Sequence, residues 1–428
     1  MTGDSFIVKG LGGKRTISGE IAVNGAKNAV LPAMASALLF RGAVRYENVP
    51  SIEDVRRIAE LITKLGAIIE KPDAGSLTIN TAPLSSGHLD PEISKRLRAS
   101  IVLAGPLLAA VGRVTFPHPG GCVIGERPID IFLTGFEKMG ASISVSDGIY
   151  TLRASRGLRG TDIFFNLPSV TATETFLMTA VLAKGTTVLK NSALEPEVDA
   201  LANFLVSAGA KISGVGTPTL VIEGTGFLKG EGKICKIIPD RIEAGSLIIL
   251  GAVAGHNLRV TNCEPKHLDS LLEVLRRSGV KLKIGENFID VSSPAALKPI
   301  NIKTHEYPGF PTDLQAPVTV MLTQAEGEST VFETVFDGRL NYTEELVRMG
   351  ADIKLWNASR ISITGKTRLR ARHLVSPDIR AGLAFVIAAV IAKGESRIDN
   401  VYFIDRGYER IEERLQKVGV DIRRVDNR

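Results

Sequence analysis

The chain has 428 residues, 44% hydrophobic and 23% charged, the balance of a folded protein too long for one ordinary core and therefore of two domains. Its formal net charge of +6 comes with only 5% aromatic residues, poor material for stacking bases, so small anionic ligands rather than nucleic acid are the expected partners. The longest apolar runs, near 247–253 and 383–392, fall short of the roughly 20 residues that cross a bilayer, so no membrane span is expected.

The opening MTGDSFIVKG lacks a basic region followed by an apolar run, so no secretion signal is read there. Three scattered cysteines (Cys122, Cys235, Cys263) suit neither a disulfide framework nor a metal knuckle and fit a reducing cytoplasm. The six histidines (88, 118, 256, 267, 305, 373) show no metal-ligand spacing. Neither GxxxxGK[ST] nor a GxGxxG opening a helix after a strand is present, so nothing supports an ATP or dinucleotide site.

Along the chain one unit recurs six times. Its marker is a helix end, a glycine and a strand: KLGAII, KMGASI, SAGAKI, RSGVKL, RMGADI and KVGVDI. The glycines are Gly66, Gly140, Gly209, Gly279, Gly350 and Gly419, spaced by 74, 69, 70, 71 and 69 residues. Each unit opens with a small-residue-rich apolar stretch, such as LPAMASALL or AGLAFVIAAVIA. That stretch is apolar all round and is expected to be a buried helix. A β-branched segment follows, such as GTTVLKN or GESRIDN.

An amphipathic helix comes next. In the first unit Ser51 is the expected N-cap, Asp54 lies in the first turn, and Ile52, Val55, Ala59, Ile62 and Leu65 line one face. Gly66 then supplies a left-handed cap. A strand pair closes the unit, with second strands such as SLTIN, YTLRA, TLVIEG and RISITG. Six such units predict an α/β protein of two similar domains with a cleft between them, not an open solenoid with short repeats and polar ends.

Unusual residues recur in phase, just before the buried helix. Lys27 and Asn28 stand in VNGAKNAVLP, Arg98 in KRLRAS, Asp313 in YPGFPTDLQ and Arg380 in SPDIRAG, while units three and four carry PSVTATET and PDRIEAGS. Taken singly, a Lys or Arg at a helix start is a solvated charge, and Asp313 could simply be a cap. Several helix N-termini with cations beside them would make an anion trap. The sharpest local feature is HPGGCVIGERPID at 118–130. The bland reading of Cys122 is a buried structural thiol. Its Pro-Gly-Gly setting favours a surface loop instead, where a thiol near Arg127 is a candidate acid or nucleophile. Cys235 and Cys263 look structural.

NGAKNA, RLRAS, PGGCVIGERPID, PDRIEAG, FPTDLQA and IDRGYERIEERL, in this order from about residue 6 to about residue 425, resemble the UDP-N-acetylglucosamine 1-carboxyvinyltransferase family. The resemblance implies a two-domain inside-out α/β barrel, each domain made of three βαβαββ-type units around a pseudo-threefold axis. The implied domains are 27–237, and 1–26 plus 238–428. It implies transfer of the enolpyruvyl group of phosphoenolpyruvate to the 3-hydroxyl of UDP-N-acetylglucosamine, with release of phosphate, as the first committed step of peptidoglycan synthesis. No metal or cofactor is implied. A cytoplasmic monomer is expected.

By the same resemblance, Lys27, Arg127 and Arg406 bind the donor's phosphate and carboxylate, with Arg98 and Arg380 completing the anion site. Cys122 is the general acid and fosfomycin target, and Asp313 takes the proton from the sugar hydroxyl. Asn28 contacts the sugar. Arg127, Pro128, Ile129, Asp130, Ile131, Ser169, Val170, Thr171 and Val335 line the nucleotide-sugar pocket. Three positions depart from the family pattern: Phe132 where many relatives carry histidine, Thr171 where glycine is commoner, and FDGRLNY at 336–342 in place of an ENR-type segment around Arg339. They lie on the presumed nucleotide-sugar side. Three alternatives therefore stay open: an enolpyruvyl transferase acting on another nucleotide, one acting on a shikimate-type acceptor, and an inactive binding paralogue.

Overall fold

The computed structural model describes residues 3–82, 84–120 and 128–426. Their contacts divide them into two compact units, one of residues 3–24 and 239–426 and the other of 25–120 and 128–238. Each has its own hydrophobic core. Among the described residues no helix is long and apolar enough to cross a membrane.

The repeat is built as one supersecondary motif. In the third copy, Asp162–Phe164 runs parallel to Thr186–Lys190, which pairs antiparallel with Thr219–Glu223, which pairs antiparallel with Lys211–Ser213. The strand order is thus first, second, fourth, third. The fifth copy repeats it with Ile302–Lys303, Gly327–Phe332, Arg360–Gly365 and Asp352–Asn357. In the second copy the opening strand shrinks to one parallel bridge between His88 and Thr115.

Three sheets are completed by distant chain. Ile234–Lys236 opens the first copy's sheet beside Ala43–Glu47, and Ile17–Ala22 opens the fourth copy's beside Gly255–Thr261. Ser5–Lys9 closes the sixth, between Glu395–Asp399 and Asp421–Val425. Asp399 reinforces that closure. It accepts from Ser5 Oγ and Arg397 Nε, and a ring nitrogen of His373 lies 2.6 Å from its other oxygen. Burial alone would raise its pKa, but these hydrogen bonds outweigh burial and hold it at about 2.

The apolar stretches are central helices. Every residue of Arg241–Ala254 and of Ile379–Ile391 is buried, and these two pack on each other and on Gln315–Leu322. In the other unit Lys27–Ser36, Val170–Leu182 and the helix Ala104–Val111, entered through the 3-10 turn Arg98–Leu103, pack likewise. Small residues permit the approach: a Cβ on Gly245 would sit 2.6 Å from Leu314 Cδ1. Helices stand inside and sheets outside, three repeats to a unit. This is the inside-out, pseudo-threefold α/β arrangement that the family resemblance implies.

The second helices cover the sheets with one apolar stripe, as in Glu53–Lys64, where Val55, Ile58, Leu61 and Ile62 are buried. The expected cap is corrected here. The helix opens at Glu53 with Ile52, not Ser51, in the capping position, because Ile52 is drawn into the core at 1% exposure and sets the entry of the chain. The six marker glycines all adopt positive φ: Gly66 106°, Gly140 93°, Gly209 108°, Gly279 87°, Gly350 102° and Gly419 94°.

A Cβ at Gly209 meets nothing within 4 Å, so Gly209→Ala should lose only the conformational cost of about 1–2 kcal/mol; Gly245→Ala should lose as much or more through overpacking, roughly 1–3 kcal/mol. Urea melts decide, and an unchanged midpoint for Gly209→Ala would contradict the assignment. Asp399→Asn should cost about 1–2 kcal/mol at pH 7. Since the folded pKa is depressed from 3.8 to about 2, the contribution is full above pH 3.8 and disappears as pH falls through 2. A difference between wild type and variant that stays constant from pH 7 to pH 2 would rule this out.

Candidate functional site

Each phased polar residue sits at the N-terminus of its central helix. Lys27 is the first residue of Lys27–Ser36, and Arg98 begins Arg98–Leu103. The Ser169 hydroxyl caps Val170–Leu182 by accepting from Ala172 N at 3.3 Å. Asp240 caps Arg241–Ala254 through Ile242 N and Glu243 N at 2.8 and 3.0 Å. Asp313 lies in the turn Thr312–Leu314 that enters Gln315–Leu322. Asp378 caps Ile379–Ile391 through Arg380 N and Ala381 N at 2.8 and 3.0 Å.

The unit of 3–24 and 239–426 brings Asp313 and Arg380 together. Arg380 Nε donates to Asp313 Oδ2 at 3.0 Å, and Arg339 donates from a terminal nitrogen to Oδ1 at 2.8 Å. Both guanidiniums are buried, at 4% and 8% exposure, whereas the Asp313 side chain keeps 25%. Two cations therefore orient the carboxylate of a side chain that is not fully buried. Arg380 also donates to the Tyr408 hydroxyl at 2.9 Å. Burial would lower the Arg380 guanidinium, but Tyr408, Asp313 and Asp240 raise it well above its ordinary value. Burial also opposes the charge of Arg339, and Asp313 and Asp378 reverse that effect. Tyr408 is pushed up to about 12 by burial, against the pull of Arg380, so it stays a neutral phenol near pH 7.

Behind the clamp lies a polar frame. Arg339 donates to Thr312 Oγ1 at 2.6 Å, and Thr312 donates to Glu333 at 2.7 Å. Glu333, 1% exposed, also accepts from Thr304 Oγ1 at 3.0 Å and from the N–H groups of Val335 and Phe336 at 2.8 and 3.2 Å. Val335 is thus tied to the frame through its backbone. Arg406 is buried at 4% exposure, two residues before Tyr408.

In the unit of 25–120 and 128–238 the described contacts are more local. Lys27 Nζ lies 3.3 Å from Asp54, which is buried at 2% exposure on the neighbouring helix. Asn28 is half-buried on the same first turn as Lys27. Arg98 donates to the carbonyls of Pro119 and Pro128, both at 3.3 Å, and so joins the two described flanks of the cysteine segment. Cys122 and Arg127 themselves lie outside the described residues. Pro128 and Asp130 are exposed and Ile131 half-buried, but Ile129 is 2% exposed and belongs to the core. Val170 and Thr171 are half-buried in the first turn of Val170–Leu182.

Two of the departures fall in unexpected places. Phe132 is 3% exposed, its ring 6.4 Å from that of Phe176, so its side chain faces the core. Arg339 reaches Asp313. Sequence reasoning noted Arg339 only as a departure and missed Thr312, Glu333 and Tyr408. The signal was weak, since buried polar partners have no periodicity of their own. The bland reading of Cys235 and Cys263 holds: both are buried, and burial pushes their thiols up to about 12 and about 11, which makes them poor nucleophiles. Among the described residues no group of three His, Cys, Asp or Glu side chains could hold a metal ion.

Residues 11–415 match the family described as EPSP synthase (3-phosphoshikimate 1-carboxyvinyltransferase). The chain is 45% identical to the UDP-N-acetylglucosamine 1-carboxyvinyltransferase of Koribacter versatilis, covering 99% of this chain and 96% of that protein. It is 44% identical to that of Acidobacterium capsulatum, covering 99% and 97%. Among solved structures it is similar to the enolpyruvyl transferase NikO from Streptomyces tendae, with TM-score 0.87, 24% identity and 99% of both chains covered. It is also similar to an EPSP synthase from Acinetobacter baumannii, with TM-score 0.74, 17% identity and 99% and 100% covered. At these lower identities the two structures speak for the fold alone. The full-length match to the family and the relatives above 40% identity together make this chain a member of the EPSP synthase (3-phosphoshikimate 1-carboxyvinyltransferase) family and, within it, of the UDP-N-acetylglucosamine 1-carboxyvinyltransferases.

Proposed function

We propose that the protein transfers the carboxyvinyl group of phosphoenolpyruvate to the 3-hydroxyl of UDP-N-acetylglucosamine with release of phosphate, the committing step of peptidoglycan synthesis. One observation carries this choice of acceptor: relatives 45% and 44% identical along nearly the whole chain bear the name of that transferase. The burial of Phe132 in the core supports it further, because the histidine-to-phenylalanine departure then changes packing instead of an acceptor contact. The reading brings with it a cytoplasmic, monomeric enzyme without a cofactor.

The chemistry calls for one base and one acid. Asp313 accepts the proton of the sugar hydroxyl as its oxygen bonds to the substituted carbon of the enol. A proton goes to the methylene carbon at the same time, and Cys122 is assigned as its donor. Elimination then breaks the carbon–phosphate oxygen bond, the phosphate leaving with the proton held by Asp313, and a methyl proton returns to the Cys122 thiolate, which restores the vinyl group. The clamp suits the base: two fixed guanidiniums orient Asp313 while a quarter of its side chain stays exposed. Lys27, Arg127 and Arg406, with Arg98 and Arg380, offset the charge of the donor's phosphate and carboxylate. Asn28 is assigned to the sugar. Pro128, Ile129, Asp130, Ile131, Ser169, Val170, Thr171 and Val335 are assigned to the nucleotide sugar, with Ile129 acting through its backbone given its core side chain.

Purified protein mixed with phosphoenolpyruvate and UDP-N-acetylglucosamine should release inorganic phosphate, and omission of either should abolish release. Release with shikimate 3-phosphate in place of the nucleotide sugar, and none with the sugar, would overturn the acceptor. Cys122→Ser should lower turnover by about 10²–10⁴-fold, while Cys122→Asp, still an acid, retains activity. Turnover of Cys122→Ser at the wild-type rate would remove the thiol from the mechanism.

A further inference from the structure

We infer that Glu333 is a positioning residue for Asp313, acting through the hydroxyl of Thr312 and the fork of Arg339; this rests on the reading of Asp313 as the base. Donor and acceptor chemistry leaves one direction for the chain. A guanidinium only donates, so Thr312 Oγ1 must accept from Arg339 at 2.6 Å. Its single proton then goes to Glu333, 2.7 Å away, which as a carboxylate only accepts. The second arm of the same guanidinium reaches Asp313 Oδ1 at 2.8 Å. Glu333 thus sets which way the Thr312 hydroxyl points, the hydroxyl sets where the Arg339 fork rests, and the fork holds one oxygen of the base.

Glu333 is itself immobilised. Its other oxygen accepts from Thr304 Oγ1 at 3.0 Å and from the backbone N–H groups of Val335 and Phe336 at 2.8 and 3.2 Å, and it is 1% exposed. One carboxylate therefore bonds both the segment that carries Val335, assigned to the nucleotide sugar, and the residue next to the base. Seating of the acceptor and orientation of the base are coupled through a group that need touch neither substrate. Glutamine cannot replace it. With its carbonyl toward the N–H groups, its amide donates at Thr312 and strands the hydroxyl proton; reversed, the amide faces two N–H donors.

The test uses steady-state kinetics and crystal structures of Thr312→Val, Thr312→Ser, Glu333→Gln and the double variant Thr312→Val/Glu333→Gln. Thr312→Val exchanges the hydroxyl for a methyl group and does not touch the groups through which Glu333 bonds the backbone. It should lower kcat about 10–100-fold, with KM for either substrate changed less than about threefold, as a misplaced reacting group does. Thr312→Ser should stay near wild type. The double variant should be no more than about threefold below the worse single variant, because both act along one chain. In the crystal the Arg339–Asp313 contact should lengthen beyond hydrogen-bond reach in Thr312→Val.

A Thr312→Val enzyme with wild-type kcat, a Thr312→Ser enzyme as impaired as Thr312→Val, or an undisturbed Arg339–Asp313 contact would each overturn the inference. Should Glu333→Gln fail to fold, Thr312→Val and Thr312→Ser still decide it. Wild-type protein that releases no phosphate from the proposed substrate pair refutes the functional reading instead, and the crystal distance then settles the positioning role alone.

Discussion

A helix that is apolar on every side cannot face water, and this protein contains six such stretches. Enclosing three of them in each unit, with sheets outside and helix against helix inside, leaves only their ends for polar chemistry. The N-terminal ends offer unpaired N–H groups and a positive dipole. Ser169, Asp240 and Asp378 cap these ends directly, and Lys27, Arg98, Asp313 and Arg380 sit within their first turns. The phase of the functional residues with the repeat is thus a consequence of burial. Few other places in such a unit can hold a charge close to the core.

That location is costly for cations, and the site resolves the cost by mutual satisfaction. Arg339 and Arg380 would be lowered by burial, yet both are held charged by the carboxylates and hydroxyls around them. Removing one partner from such a set strands the others, which costs more than the set contributes as a whole. The buried cluster is therefore weak evidence of stability and stronger evidence of orientation. Asp313 gains a defined direction from two sides while keeping a quarter of its side chain in contact with solvent.

Much of the architecture could be read before the structure because it repeats. Six glycines at nearly even spacing reported six helix ends, and all six have the left-handed φ that only glycine adopts without strain. The apolar stretches reported the central helices, since period and composition act locally. What stayed hidden depends on partners distant in sequence. The fourth strand of the last sheet is Ser5–Lys9, hundreds of residues from its neighbours, and no pattern in SFIVK names them. The capping position fell to Ile52, which is buried in the core, one residue beyond Ser51. Thr312 and Glu333 had no signature, for a buried threonine and glutamate mean nothing until their bonds are seen.

The departures from the family pattern make the same point from the other direction. Position in a motif located Phe132 and Arg339 equally near the nucleotide-sugar side. Packing separated them. An aromatic ring at 132, turned inward onto Phe176, fills volume in the core and presents no donor or acceptor to a ligand, so that position bears on packing. Arg339, in contrast, is one covalent residue whose fork spans Thr312 and Asp313, so the segment around it can be rewritten at 337, 338 and 340 only as far as that fork keeps its place. A departure therefore bears on function according to where its side chain ends, and two departures from one family pattern can answer to different physical demands.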